Sequence, residues 1–292
     1  MKKLLFIITA TFLPFSSHAW EPCGIDAYGN TANCEYQIDA SGTLTIRGTG
    51  DNGNIGYWDV DSGTIAPWRG KGVTNVVIED SIKNLGSYAF RGTTSLNPIE
   101  IPSSITTISD NAFYGVSTSE VIIPDSVTEI KGSAFNWSGL QKINIPDSVT
   151  SIEGSFRGTS LKDIVIPDSV TSISGGAFSY CTNLQSITIS ENTQLGEIFT
   201  GIGEETYVDF SNLKIYCTGD TTKCDANLAA AGYPDLKSSK ATTQKINGVT
   251  YVYDKNGKLV TSSGHRTEKR IYTIDEANRV AGPINRVSIT YR

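Results

Sequence analysis

The sequence predicts a β-rich repeat solenoid with a β cap at its start and a helical, disulfide-stapled cap at its end. A small α+β module follows. Three observations predict the solenoid. First, Ile-Pro-Asp-Ser-Val-Thr stands whole at 123–128, 145–150 and 166–171, with looser copies at Ile78–Ile82 and Ile101–Ile105. Second, an Ala-Phe pair recurs at 89–90, 112–113, 134–135 and 177–178, with Ser155-Phe156 as a variant. The Phe positions therefore step by 23, 22, 21 and 22 residues. Third, apolar residues alternate just before each Pro site. A period in the low twenties marks a stacked array, whose single units cannot bury their apolar side alone.

The chain opens as an export signal, residues 1–19. Lys2-Lys3 is the basic start, Leu4 to Phe15 the apolar run, and Ser17-His18-Ala19 the small-x-small cleavage site, so the mature chain begins at Trp20. The apolar run is too short to span a bilayer, and no transmembrane segment is expected in the mature chain.

Residues 20–70 do not repeat and are expected to form an N-terminal β cap. Cys34–Ile38 and Thr43–Arg47 alternate apolar and polar residues around the turn Asp39-Ala40-Ser41-Gly42. Trp58 and Trp68 are expected to pack on the first coil rather than hold a ligand.

Residues 71–235 form the solenoid with its C-terminal cap. Three and one residues before the Pro site come Val76/Ile78, Ile99/Ile101, Val121/Ile123, Ile143/Ile145, Ile164/Ile166 and Ile187/Ile189, a short strand with two inward side chains. The turn buries Ile82, Ile105, Val127, Val149 and Val170, and three residues on come Leu85, Ile108, Ile130, Ile152 and Ile173. The Phe ladder follows, then Leu96, Leu140, Leu161 and Leu184. Thr118 stands where Leu is expected, so that coil packs less well unless Val116 compensates. Pro, lacking an N–H, closes each strand, and Asp-Ser suits a turn whose side chains cap local N–H groups. Asp80, Asp125, Asp147 and Asp168 recur there. One carboxylate per coil is poor coordination for calcium, so turn capping is the expected role.

Near the array's end, Leu213–Tyr216 reads as a last strand and Asp225–Ala231 as a short helix stopped by Gly232 and Pro234. Residues 236–245 read as a polar linker. In 246–292, Val249–Tyr253 and Lys258–Val260 flank the hairpin turn Asp254–Gly257. Arg270–Tyr272 and Arg286–Arg292 read as strands, and Thr273–Ala281 as a helix with a capping box.

Export places the five cysteines in an oxidising compartment. Cys23 with Cys34, and Cys217 with Cys224, are candidate disulfides by sequence proximity, and Cys181 reads as a buried small side chain. The mature chain has a single His, His265, in a polar stretch. No metal site, cofactor or catalytic residue is expected, and the chain does not read as an enzyme.

The pattern Leu-x-x-Ile-x-Ile-Pro-Asp-Ser-Val-Thr-x-Ile with Ala-Phe-x-x-Cys-x-x-Leu resembles the BspA-like leucine-rich repeats. Ala177–Ile189 carries its full form, including Cys181, and Gly42–Gly50 with Ala66-Pro67-Trp68 resembles what precedes such repeats. The resemblance implies an exported surface protein associated with adhesion, placed at the cell surface or outside the cell, with the periplasm as the alternative.

Function is then expected at outward positions that do not repeat. The candidate binding face consists of Val77, Glu100, Glu120, Ile122, Lys142, Asn144, Asp163, Val165, Ser186 and Thr188. Glu120, Lys142 and Asp163 alternate in sign on successive rungs. The expected partner is a protein or glycan. The competing account treats Val77, Ile122 and Val165 as β-formers on a flat sheet. Charge separates a second surface. The formal net charge of −6 becomes −8 once Lys2 and Lys3 are removed, whereas the chain from Lys237 onward holds 11 basic and 4 acidic residues, net +7. That basic end offers a site for an anionic envelope polymer, or docks on the acidic solenoid. Nucleic acid is excluded by export. The alternative role is an envelope or periplasmic scaffold attached through this module.

Overall fold

The structure is a computed structural model and describes residues 19–59, 63–95, 97–200, 208–246, 249–263, 273–274 and 280–281. The signal segment before Ala19, His265, and the strands expected at Arg270–Tyr272 and Arg286–Arg292 lie outside these residues.

The array stacks short parallel strands into two columns, each made of successive hydrogen-bonded sheets, with the front column broken before Ile99 and before Asp163 and the side column broken before Thr107. The front column runs through Thr43–Gly48, Asn75–Ile78, Ile99–Glu100, Glu120–Ile122, Lys142–Ile143, Asp163–Val165, Ser186–Ile189 and Lys214–Cys217. The side column pairs Gly53–Ile55 with Ile82–Leu85, then continues as Thr107–Ile108, Glu129–Ile130, Ser151–Glu153, Ser172–Ser174 and Gln194–Leu195. Register places like on like: Ile164 faces Ile187 and Ile130 faces Ile152. The third side of each coil is the Phe turn. Phe90, Phe113, Phe135, Phe156 and Phe178 are fully buried and stack nearly parallel, with neighbouring centroids 5.1, 5.4, 5.6 and 5.9 Å apart. Burying each Phe is worth about 1.5–3 kcal/mol. The backbone is satisfied along the same axis, since Phe90 N donates to Ala112 O and Phe113 N to Ala134 O, both at 2.8 Å.

The Pro turns close as expected, with Val127 N donating to Pro124 O and Val149 N to Pro146 O, both at 3.1 Å. The Asp-Ser pair acts differently from the local capping expected of it. Ser126 Oγ donates to Ile105 O of the preceding coil at 2.7 Å, and Ser104 and Ser148 reach back likewise to Ile82 O and Val127 O. Asp147 and Asp168 also point outward, pairing with Lys245 and accepting from Thr218. Thr118 is buried, and its hydroxyl donates to Glu120 O at 3.1 Å while Val116 is fully buried beside it. The Leu vacancy is thereby filled.

The N-terminal cap is more repeat-like than its sequence. Thr43–Gly48 pairs parallel with Asn75–Ile78, placing Leu44 on Val76 and Ile46 on Ile78. Trp68 is buried, stacks on Phe90 at 5.9 Å and donates through Nε1 to Ala89 O at 3.1 Å. It is therefore the first rung of the Phe ladder, 22 residues upstream of Phe90. The Cys23–Cys34 disulfide ties the strand Cys34–Ile38 to the preceding segment.

At the other end the helix spans Thr221–Ala230, starting earlier than expected because the Asp220 carboxylate caps Thr222 N at 2.8 Å. Cys217–Cys224 joins it to the last front strand. Asn227 Nδ2 donates to Glu191 O and Thr193 O, satisfying carbonyls at the open end of the array. Cys181 is a buried free thiol that donates to Phe156 O at 3.1 Å, and burial raises its pKa.

Two segments depart from expectation. The stretch expected as a linker is the strand Ser238–Ile246, which adds parallel to Lys214–Cys217 and then antiparallel to Val249–Asp254. Its polar composition conceals the alternation because most of its residues face solvent. Where a helix was expected at Thr273–Ala281, Thr273–Ile274 pairs antiparallel with Val280–Ala281. Thr273, Ile274 and Val280 are β-branched, which favours strand over helix.

Candidate binding surfaces

The front strip divides in two. Over the first coils it is open. Val77 is 45% exposed, Glu100 and Lys142 are exposed, and Glu120 and Ile122 are half-buried. Lys142 lies directly opposite Glu120 across the parallel register, the favourable charge alternation expected.

Over the last coils the strip is covered, and the expectation of one continuous outward face is corrected there. The strands Ser238–Ile246, Val249–Asp254 and Leu259–Ser263 extend the front sheet and curl back over it as a flap. Val165 is buried with Tyr216, Ala241 and Val252, and Val260 packs against them. Ser186 and Thr188 are buried too, being flanked in register by the covered strands. Ser186 Oγ donates to Asp163 Oδ1 at 2.5 Å, which ties up the third member of the charge series. Asn144 sits at the flap's edge, where Ser263 Oγ donates to Ile143 O at 3.1 Å. The physical reason is that Val165 and Tyr216 form an apolar patch, and the nearby β-rich strands remove it from water. Burial also raises the pKa of the Tyr216 hydroxyl.

The closure is modest. The ion pair Lys245–Asp147 at 2.8 Å is solvent-exposed and worth little. Thr188 Oγ1 is buried with no hydrogen-bond partner among the described residues, an unfavourable arrangement. Clefts remain on either side of the flap, one of about 370 Å³ reaching Glu120 and Lys142.

A third surface was not singled out from the sequence. At the corner flanking the Phe ladder, each coil places residues in left-handed backbone. Two residues after Phe these are Gly92, Gly115, Trp137, Gly158 and Tyr180, with φ between 57° and 66°. Two before Phe they are Tyr88, Asn111, Ser133, Gly154 and Gly176, with φ between 53° and 66°. The geometry serves the ladder: Gly115 N donates to Asn136 O, and Trp137 N to Arg157 O. Glycine adopts it freely, whereas a side chain costs roughly 1–2 kcal/mol. Tyr88, Trp137 and Tyr180 are therefore large rings kept at positions that favour glycine. Arginines lie over them in two separate groups. Arg91 lies over Tyr88 and Tyr114, and Arg157 over Trp137 and Tyr180. The signal in the sequence was an aromatic at a repeat position otherwise held by Gly, Asn or Ser.

No group of His, Cys, Asp or Glu suited to a metal ion occurs among the described residues. No helix among them is long and apolar enough to cross a membrane.

Stacked parallel coils, a buried Phe ladder and disulfide-tied ends define a leucine-rich-repeat solenoid. The sequence profile of the BspA type leucine rich repeat region matches residues 68–185 and 153–222 with six copies, so this chain belongs to that family. Family membership suggests a binding role. Among solved structures it is similar to a leucine-rich repeat protein from Eubacterium ventriosum, at 22% identity over 62% of this chain and 45% of the other, TM-score 0.47. It is also similar to a leucine rich cell surface protein from Faecalibacterium prausnitzii, at 21% identity over 53% of this chain and 56% of the other, TM-score 0.38. A leucine-rich repeat protein from Bacteroides ovatus aligns at 19% identity over 65% and 70%, TM-score 0.29. The chain spans about half the length of the first two. The search of curated proteins gave no match.

Proposed function

We propose that this chain is an exported, non-enzymatic adhesion protein of the cell surface, and that its front face holds a protein ligand across the first coils. The observation that supports this reading is the open half of the strip. Val77 and Ile122 offer apolar area between Glu100, Glu120 and Lys142, on a flat sheet that presents no buried acid–base constellation. The domain boundaries belong to the same reading, with a signal at 1–19, a cap at 20–70, a solenoid at 71–235 and a basic end beyond.

The test replaces Val77 and Ile122 by Lys in the full mature protein, then measures binding to a panel of purified extracellular matrix proteins by surface plasmon resonance. The expected outcome is at least a tenfold loss on whichever protein the parent binds, with Tm unchanged. Equal binding by the variant, or no binding by the parent, counts against the reading.

A second reading, attachment to an anionic envelope polymer, is favoured by Lys240, Lys255 and Lys258, which stand exposed on the flap strands and their turn. Replacing all three by Glu should release the protein from cells into the medium. Full retention speaks against it. Truncation at Leu236 is a poorer test, because Ser238–Ile246 completes the sheet.

A further inference from the structure

A groove of about 600 Å³ runs where the N-terminal cap meets the first two coils. It lies along the side sheet and shares no residue with the front strip. Three tyrosines line it in succession. Tyr28 and Tyr57 stack with centroids 4.6 Å apart and planes 21° apart, and Tyr57 meets Tyr88 edge-on at 6.1 Å. Tyr28 is 73% exposed, so its outer face is open to solvent.

Beside the rings lie polar side chains with unused bonding capacity. Asn54 and Asn84 stand opposite one another on paired strands, with Asp110 and Asn111 on the next coil. Among the described residues, none of these three amides, nor the Asp110 carboxylate, has a hydrogen-bond partner. Asp26, by contrast, is engaged in holding the cap, accepting from Tyr28 N and Asn30 N at 2.9 Å.

The groove is built from departures from the repeat. Tyr88 and Asn111 are left-handed, with φ of 61° and 56°, at the position that Gly154 and Gly176 fill in later coils. The fold prefers glycine there, and a bulky residue in such a conformation points to a role outside folding.

We infer that this groove binds a neutral oligosaccharide. Tyrosine rings take the C–H-rich faces of pyranose units. An amide both donates and accepts, as a sugar hydroxyl does, and Asp110 accepts from hydroxyls. The alternatives fit less well. Two carboxylates line the groove and no Lys or Arg does, the Arg91 guanidinium lying instead over the Tyr88 ring, so the lining disfavours a polyanion. Its aliphatic side chains, Ile55 and Leu85, are buried in the core, which leaves no apolar pocket for a protein anchor.

The experiment titrates the mature protein with neutral hexaoses (cello-, manno- and galacto-oligosaccharides) and with a hyaluronan hexasaccharide, using calorimetry. The expected result is saturable binding of at least one neutral hexaose, stronger than that of the charged one. Tyr28→Ala and Tyr88→Gly should each weaken it at least tenfold. Tyr88→Gly is the sharper arm, since glycine adopts the left-handed backbone freely and so keeps the course of the chain while the ring is removed; the variant should remain folded by circular dichroism while binding falls. Val77→Lys with Ile122→Lys should bind the sugar as the parent does, which separates this site from the front strip. No neutral hexaose bound, a preference for hyaluronan, or undiminished binding by both tyrosine variants would overturn the inference.

Discussion

The two halves of the front strip occupy the same repeat positions and have opposite fates. Val77 and Val165 both stand two residues before the Pro site. Val77 is 45% exposed, and Val165 is 6% exposed beneath the flap. The residue type does not differ, and neither does the local backbone. The difference comes from residues more than seventy positions further on, which return as Ser238–Ile246, Val249–Asp254 and Leu259–Ser263. In a repeat protein an outward position therefore has no intrinsic role. It becomes binding surface or interface according to what lies over it, and the flap marks where the open face ends.

The comparison breaks most readily at the centre of the flap. Val252 is fully buried against Val165 and Tyr216. Val252→Asp should place an unpaired carboxylate in that cluster and weaken flap docking by about 2–4 kcal/mol. Limited proteolysis should then cut within 238–263 while the solenoid, with its continuous Phe ladder, stays intact. Cleavage spread evenly over the chain would show that flap and solenoid unfold together.

A smaller effect sets the halves side by side. Val165→Lys should lower stability by about 1.5–3 kcal/mol through lost burial, whereas Val77→Lys should change it by less than about 0.5 kcal/mol. Urea unfolding of the two variants measures both. Equal losses would mean that the closed half is not closed in solution.

The smallest effect concerns pH at the flap-bearing end. A backbone hydrogen bond from Asp220 N lowers the pKa of Glu191, helped by Lys223, and one from Thr222 N lowers that of Asp220. Both carboxylates bind fewer protons in the folded chain than in the unfolded one. Their contribution is complete above the ordinary carboxylate range and is lost as pH falls through their lowered values. Protection of the amides in the helix Thr221–Ala230, corrected for the intrinsic exchange rate, should therefore fall as pH drops below the ordinary carboxylate range, ahead of protection in the central coils. A uniform loss of protection would remove these two carboxylates from the account.

Much of the fold was legible because the repeat writes each inward position five or six times. Ile130, Ile152 and Ile173 recur at one phase, so one misleading residue, such as Thr118, does not hide the pattern. The cap at the start was harder to read. Trp68 occupies the Phe phase and Trp68-Arg69-Gly70 matches Phe90-Arg91-Gly92, but Trp in place of Phe and Pro67 in place of Ala disguise the match. The strand Ser238–Ile246 was read as a linker because periodicity detects only strands with one buried face, and just Ala241 along it is buried. The candidate sites were less legible still. The strip was identified by phase alone, and phase does not report cover. Tyr28, Tyr57 and Tyr88 lie about thirty residues apart, at no shared phase, and only the folded cap brings their rings together.

By itself the sequence determined the solenoid, the strand before each Pro site with its two inward side chains and the Phe ladder, and it offered Cys23 with Cys34 and Cys217 with Cys224 as candidate pairs. Each of these depends on contacts between adjacent coils or close neighbours, where period and proximity are enough. Only the tertiary structure decided which outward residues stay open and which lie beneath the flap. It alone assembled the tyrosine groove at the cap. Both depend on segments distant in sequence meeting at surfaces where side chains follow no period, so the choice rests on shape and burial that no single repeat encodes.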